Sequence, residues 1–316
     1  MKLWIIFSSL AILCFTSCKE NPDTSAQISW NEAATAAEAR LDEKTETSTT
    51  VSASTSAPTY DTSASTLIAE DSFEINHSNY VVKTSLKGQR PITLGFNGPW
   101  RTSKIRPRKE NSDTSISLVG KSSLTYPGLK TSGGKMVIQK YNLSGRIGRH
   151  LSTSYTDASK GTIYISFLMK NNEFGVANSY RALELYDSKL GDAPNGLNDE
   201  NNRRFALGSS ENDFGTAGFG FRINNDLAFS RELASSRNTE VNLFVLKFDL
   251  SDEPLSDSVT VWMNPEVGAP LYDGVSVSGF DVSFDTISLA RFGNSLAVNL
   301  DEIRIGDTYS AVTPRL

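Results

Sequence analysis

The chain has 316 residues, two cysteines, two histidines and a formal charge of −5 at pH 7. That length admits one large domain or two small ones, and the acidic balance gives no footing for nucleic-acid binding. Hydrophobic residues make up 38%, below the usual globular share, so part of the chain is expected to stay unpacked.

The first element is an apolar run, "LWIIFSSLAILCF", after Met1 and Lys2. It is too short for a permanent membrane helix and has the length of a signal-peptide core. Small residues, Thr16 and Ser17, stand directly before Cys18. The arrangement resembles a bacterial lipobox, although Phe15 occupies the place where Leu is usual. This resemblance implies that residues 1–17 are a lipoprotein signal peptide and that Cys18 is lipidated. It also implies an outer-membrane location, on the periplasmic or cell-surface side. Cys14 falls within the signal, so no disulfide is expected in the mature chain, and stability has to come from packing or metal. Residues 18–65 are Ser/Thr/Ala-rich, lack apolar periodicity and read as a disordered tether. Within them, residues 31–44 have helix-forming composition but little to pack, which predicts at most a frayed helix.

From residue 66 to 316 the texture changes to short β-type runs separated by Gly, Asn, Asp and Ser. In "GTIYISFLMK", Ile163, Ile165, Phe167 and Met169 share one face. "AGFGFRI" does the same with Phe219, Phe221 and Ile223. "VNLFVLKFDL" is apolar on both faces, as expected of a strand buried between two layers. "DSVTVWMNP" and "FDVSFDTISLARF" add strands, the second with a parity slip at Asp285-Thr286. The closing stretch "VNLDEIRIG" slips as well: Val298 and Leu300 are even, whereas Ile303 and Ile305 are odd. Side chains alternate with a period of two, so the change demands a bulge or tight turn at Asp301-Glu302. About a dozen strands with no amphipathic helix predict an all-β, two-sheet antiparallel sandwich.

"LIAEDSF", "SSLTYPGL", "GTIYISFLMK", "LFVLKFDL", "VTVWMNP" and "LDEIRIGDTYSAV" follow in that order over residues 67–314. Together they resemble a concanavalin A-like (LamG-like) jelly roll of bacterial surface proteins. The resemblance implies that the first and last strands pair, placing "LIAEDSF" beside "LDEIRIG". By similarity to family-16 glycoside hydrolases it also implies one structural Ca²⁺, with Asp301 and either Glu70 or Asp71 as ligands. A bulge that leaves backbone carbonyls beside carboxylates is a hard-cation ligand set. The alternative is that Asp301 caps a turn through its own backbone.

Catalytic patterns are missing. The E-x-D-x-x-E string of family-16 hydrolases does not occur. Glu184 and Asp187 are three residues apart, which puts them on opposite faces of a strand. Alginate-lyase jelly rolls use a Gln-x-His pair that is also absent, and His150 in "GRIGRHL" has no evident partner in the sequence. A non-catalytic protein is expected. Sugar binding calls for aromatic platforms flanked by planar polar groups. The candidates are Trp100 in a Gly/Pro loop, Tyr126, Tyr155, Tyr186, and Trp262, which is turned away from Val261 and Met263. The basic run "RTSKIRPRK" adds Arg106 and Arg108 as contacts for an anionic partner. The sequence thus predicts a carbohydrate-binding or surface-binding lipoprotein whose partner is a polysaccharide or cell-surface glycan. The alternatives are a structural or adhesive protein contacting another protein, and a divergent polysaccharide lyase or hydrolase.

Overall fold

Alternating apolar side chains order the chain into strands from Leu67 onward. The structure, a computed structural model, describes residues 65–75, 78–102, 117–138, 145–172, 179–188, 200–236, 238–292 and 297–316. The chain divides at Ala57 and Pro58 into two units, and every described residue belongs to the second.

The strands in chain order are β1 (Leu67–Asp71), β2 (Phe96–Thr102), β3 (Ser117–Gly120), β4 (Lys135–Ile138) and β5 (Gly145–Tyr155). Next come β6 (Gly161–Asn171), β7 (Tyr180–Tyr186), β8 (Arg203–Ser210), β9 (Thr216–Ile223) and β10 (Asp226–Ala234). The last are β11 (Val241–Leu250), β12 (Asp257–Met263), β13 (Val275–Phe280), β14 (Phe284–Phe292) and β15 (Val298–Gly306). One sheet has the order β13-β12-β11-β6-β15-β4-β3, with β1 also paired to β15, and the other has the order β10-β9-β8-β7-β14-β5-β2. This is the two-sheet antiparallel sandwich expected from the sequence, with the first and last strands side by side.

The inward faces meet as the alternation requires. Ile163, Ile165, Phe167 and Met169 of β6 join Phe244, Leu246 and Phe248 of β11 in one core with Phe205, Leu207, Phe219 and Phe221 of the opposite sheet. Rings bridge the sheets: Phe248 meets Phe205 edge-on at 5.5 Å, and Phe219 lies 5.3 Å from Phe244. Each such side chain contributes about 1.5–3 kcal/mol on burial. β11 is indeed covered on both sides. Its outward Leu243 and Val245 pack with Leu168 under Leu124, Leu129, Trp262, Leu271 and Tyr309.

Both parity slips are bulges. The β15–β6 register breaks between Asp301 and Arg304, and Glu302 takes a positive φ of 52°. The β14–β5 register breaks between Phe284 and Thr286. Among the described residues two one-turn α-helices, α1 (Glu211–Phe214) and α2 (Tyr309–Val312), are capped by Ser210 and Thr308. Among the described residues no helix is long and apolar enough to cross a membrane.

Candidate functional site

A cleft of about 400 Å³ opens at the sandwich edge, between β12, the connection that follows it and the start of β13. Trp262 is half-buried in its wall, and Tyr272, Glu266, Asp273 and Asn264 stand at its exposed rim. Trp262 sits where the sequence put it, on the outward face of β12 opposite Val245. Its ring rests on Gly274: a Cβ there would come within 2.6 Å of the indole. Only glycine leaves that space, a requirement that no local pattern announces. Tyr272 is 63% exposed and carries no signal in the sequence, because it lies in a connection rather than on a strand.

The connection is tied down from beneath. The Tyr126 hydroxyl donates to the Pro265 carbonyl at 3.2 Å, and the Tyr309 hydroxyl donates to that of Glu266 at 3.0 Å. Arg315 donates to the Gly268 carbonyl. Asn264 accepts from the Leu243 N–H at 2.9 Å and donates to Asn242 at 2.9 Å. The cleft wall is therefore preorganised, which lowers the ordering cost of binding. Tyr126 serves here as a strut and packs against the outer cluster.

Trp100 is not a platform. It is 1% exposed and stacks on Phe73, with ring centroids 5.8 Å apart. Its indole N–H donates to the Tyr80 hydroxyl at 2.8 Å, and that hydroxyl donates to Asp71 at 2.6 Å. Arg149 closes the chain with an ion pair of 3.1 Å to Asp71. The Gly/Pro context suggested a surface loop, but the segment is β2, and a buried indole needs an acceptor that only the folded chain supplies. Burial raises the pKa of Asp71, against the lowering by the Tyr80 hydrogen bond and Arg149. Tyr155 is also core, 4.7 Å from the ring of Phe284.

The calcium ligands expected from the resemblance do not fit this arrangement. Asp71 opposes Ile303 and turns inward, whereas Glu70 opposes Arg304 and turns outward. One carboxylate of that set thus belongs to the Arg149 network and the other pairs with Arg304 at 2.8 Å. Asp301 accepts from the Ser123 hydroxyl and the Leu124 N–H, both at 2.7 Å, and from the Glu302 N–H at 2.9 Å. It caps its own bulge and staples the 123–124 segment. Glu302 accepts from the Ser132 N–H and from Arg304. Among the described residues no group of three or more His, Cys, Asp or Glu is placed to hold a metal ion. Burial, then the neighbouring Glu302 charge, pushes Asp301 well above the usual carboxylate range. Burial also pushes Glu302 up to about 7, against the pull of Arg304.

Tyr186 is likewise buried, on the outward face of β7 beside Glu184. Glu184 binds Arg146 at 2.8 Å and Arg203 at 3.0 Å, and accepts from the Tyr180 hydroxyl at 2.7 Å. The Arg146 guanidinium lies 5.7 Å from the Tyr186 ring centroid. Tyr186 is thus part of a packed polar network and cannot serve as an exposed platform. Burial alone would raise Glu184, but the two guanidinium charges pull it below its ordinary range. His150 has a partner the sequence did not reveal: its Nδ1 lies 2.8 Å from the Thr286 hydroxyl, which donates to Asp285 at 2.7 Å. Burial lowers its pKa. Cys18, Arg106 and Arg108 lie outside the described residues.

No family model and no curated protein matches the chain. Solved structures do. The Emp46p carbohydrate recognition domain in its metal-free form is 11% identical, with 64% of this chain and 93% of that chain covered and a TM-score of 0.40. A carbohydrate esterase from Shiga toxin-encoding bacteriophage phi24B is 13% identical over 77% of this chain and 99% of its own, at 0.44. The T. cruzi calreticulin globular domain is 10% identical over 77% and 89%, also at 0.44. All three scores lie below 0.5, so the sandwich assignment stands on the chain's own strand pairing.

Proposed function

We propose that this protein is a non-catalytic carbohydrate-binding module, displayed on a tether from a lipid anchor at Cys18 on the outer membrane. The observation that carries the reading is the cleft in which half-buried Trp262 and exposed Tyr272 are flanked by Asn264, Glu266 and Asp273. Aromatic faces shed water against the C–H face of a pyranose, and planar polar groups bind its hydroxyls. The cleft is concave and rigidly backed, unlike the flat apolar patch that a protein partner favours. Against a lyase or hydrolase built on the ELYD stretch, Glu184 is held by two arginines and Asp187 accepts from Ser283 at 2.7 Å, so both carboxylates are committed within the fold. The anionic-partner reading rests on Arg106 and Arg108 and applies to that segment alone.

Titration of the full chain against a panel of neutral and charged polysaccharides, read by tryptophan fluorescence, tests the assignment. Tyr272→Ala is expected to weaken binding about tenfold or more, on the scale of truncating one aromatic anchor in a small interface. Equal affinity of wild type and variant for every glycan bound would remove the cleft from the function. Release of reducing ends or unsaturated products would overturn the non-catalytic reading.

A further inference from the structure

We infer that the cleft selects sugars that present hydroxyl or amine donors and rejects those carrying carboxylate or sulfate, an inference that rests on the carbohydrate reading above. The charged side chains lining it are Glu266 and Asp273, and no Lys, Arg or His lines it among the described residues. Carboxylates only accept hydrogen bonds. Asn264 commits its Oδ1 to the Leu243 N–H and one of its two Nδ2 hydrogens to Asn242, which leaves it a single donor. The indole N–H of Trp262 is packed against Gly274, away from any acceptor among the described residues. The Tyr272 hydroxyl can do both. Side-chain acceptors therefore outnumber donors at the rim, and its two charged lining residues are both acids.

A pyranose hydroxyl or an ammonium offers the matching donors, and such O–H···O⁻ and N⁺–H···O⁻ bonds are the strong ones. A uronate or sulfate offers acceptors where acceptors already stand and adds like charge within a Debye length. Selectivity here follows from repulsion as much as from attraction. The cleft and the basic run at Arg106 and Arg108 then address opposite chemistries.

The test uses the full chain with three probes of matched length: neutral β-glucan or mannan oligosaccharides, chitosan oligomers and oligogalacturonate. Binding is read by calorimetry at low and high salt. Neutral oligomers are expected to bind with little salt dependence, and chitosan oligomers at least as well at low salt. Oligogalacturonate is expected to bind at least about tenfold more weakly, the size of one charged hydrogen bond removed or opposed. Glu266→Gln with Asp273→Asn should narrow that gap by relieving the repulsion. Both positions are exposed, and Asn tolerates the positive φ of 55° at Asp273, so the variant keeps the fold. Equal or tighter binding of oligogalacturonate, abolished by Tyr272→Ala, would overturn the selectivity and leave the carbohydrate reading standing. Failure of all three probes would overturn both.

Discussion

Glu184 shows at the scale of one residue how a polar group is kept in this sandwich. It is fully buried on the outward face of β7, between Arg146 and Arg203. Removing its charge leaves two guanidinium groups with less compensation in a low-dielectric site. Glu184→Gln is therefore expected to destabilise the fold by about 3–5 kcal/mol, whereas Tyr180→Phe removes the hydroxyl that donates to Glu184 and accepts from Arg203 and costs about 1–3 kcal/mol. Urea titration of both variants measures the ordering; a smaller loss for Glu184→Gln would mean that the network is not what holds this face. Trp100 obeys the same rule through Tyr80, Asp71 and Arg149, and Asp71→Ala is expected to cost about 3–5 kcal/mol for the same reason.

The bulge of β15 makes a prediction at the scale of an element. Glu302 is raised from 4.5 to about 7, and Asp301 is raised too. The folded chain then keeps a proton that the unfolded chain gives up above pH 4.5. Stability from this pair is full below that pH and declines as pH rises toward 7, by up to about 1.4 kcal/mol per unit. Glu184, lowered, acts oppositely, and its contribution is lost only at acid pH below the ordinary glutamate range. His150 is lowered by burial and opposes the rise below pH 6.5, but it is half exposed and screened. The melting temperature is expected to climb from pH 8 to about 5 and fall again in stronger acid. Glu302→Gln should flatten the climb, and a wild-type profile level over that range would show that the pair titrates as ordinary carboxylates. Because Asp301 is already satisfied by Ser123, Leu124 and Glu302, EDTA and added calcium are both expected to leave the melting temperature unchanged. A calcium-dependent rise would restore the metal site at this bulge.

At the scale of the whole molecule, the proposal couples a binding cleft to a tether and an anchor. Cys18→Ser is expected to release the protein into the soluble fraction or to stall its processing, without altering sugar affinity. Detergent partitioning and glycan titration of the same variant check the two halves separately. Unchanged partitioning would remove the lipid anchor and leave the cleft intact.

Strand parity was legible because its cause is local. A period of two marks the inward residues of β6, β9 and β11, and each break in parity forces a bulge wherever the strand is paired, as at Asp285 and Asp301. The pairing of β1 with β15 joins residues more than 230 positions apart in sequence, and only similarity to known sandwiches suggested it. Burial could not be read from residue type. Trp100 and Tyr186 have the chemistry of a platform, yet Trp100 is covered by Phe73 and Tyr80 from the segment before β2 and Tyr186 lies beside Arg146 of β5, and Asp71 faces inward because its register partner is Ile303. Trp262 stayed beside a cleft for the converse reason: it borders the edge of its sheet, over a glycine that leaves room for the ring. Which aromatic residues meet solvent, and which acids meet arginine, is decided by contacts between strands, and those exist only once the sheets have closed on each other.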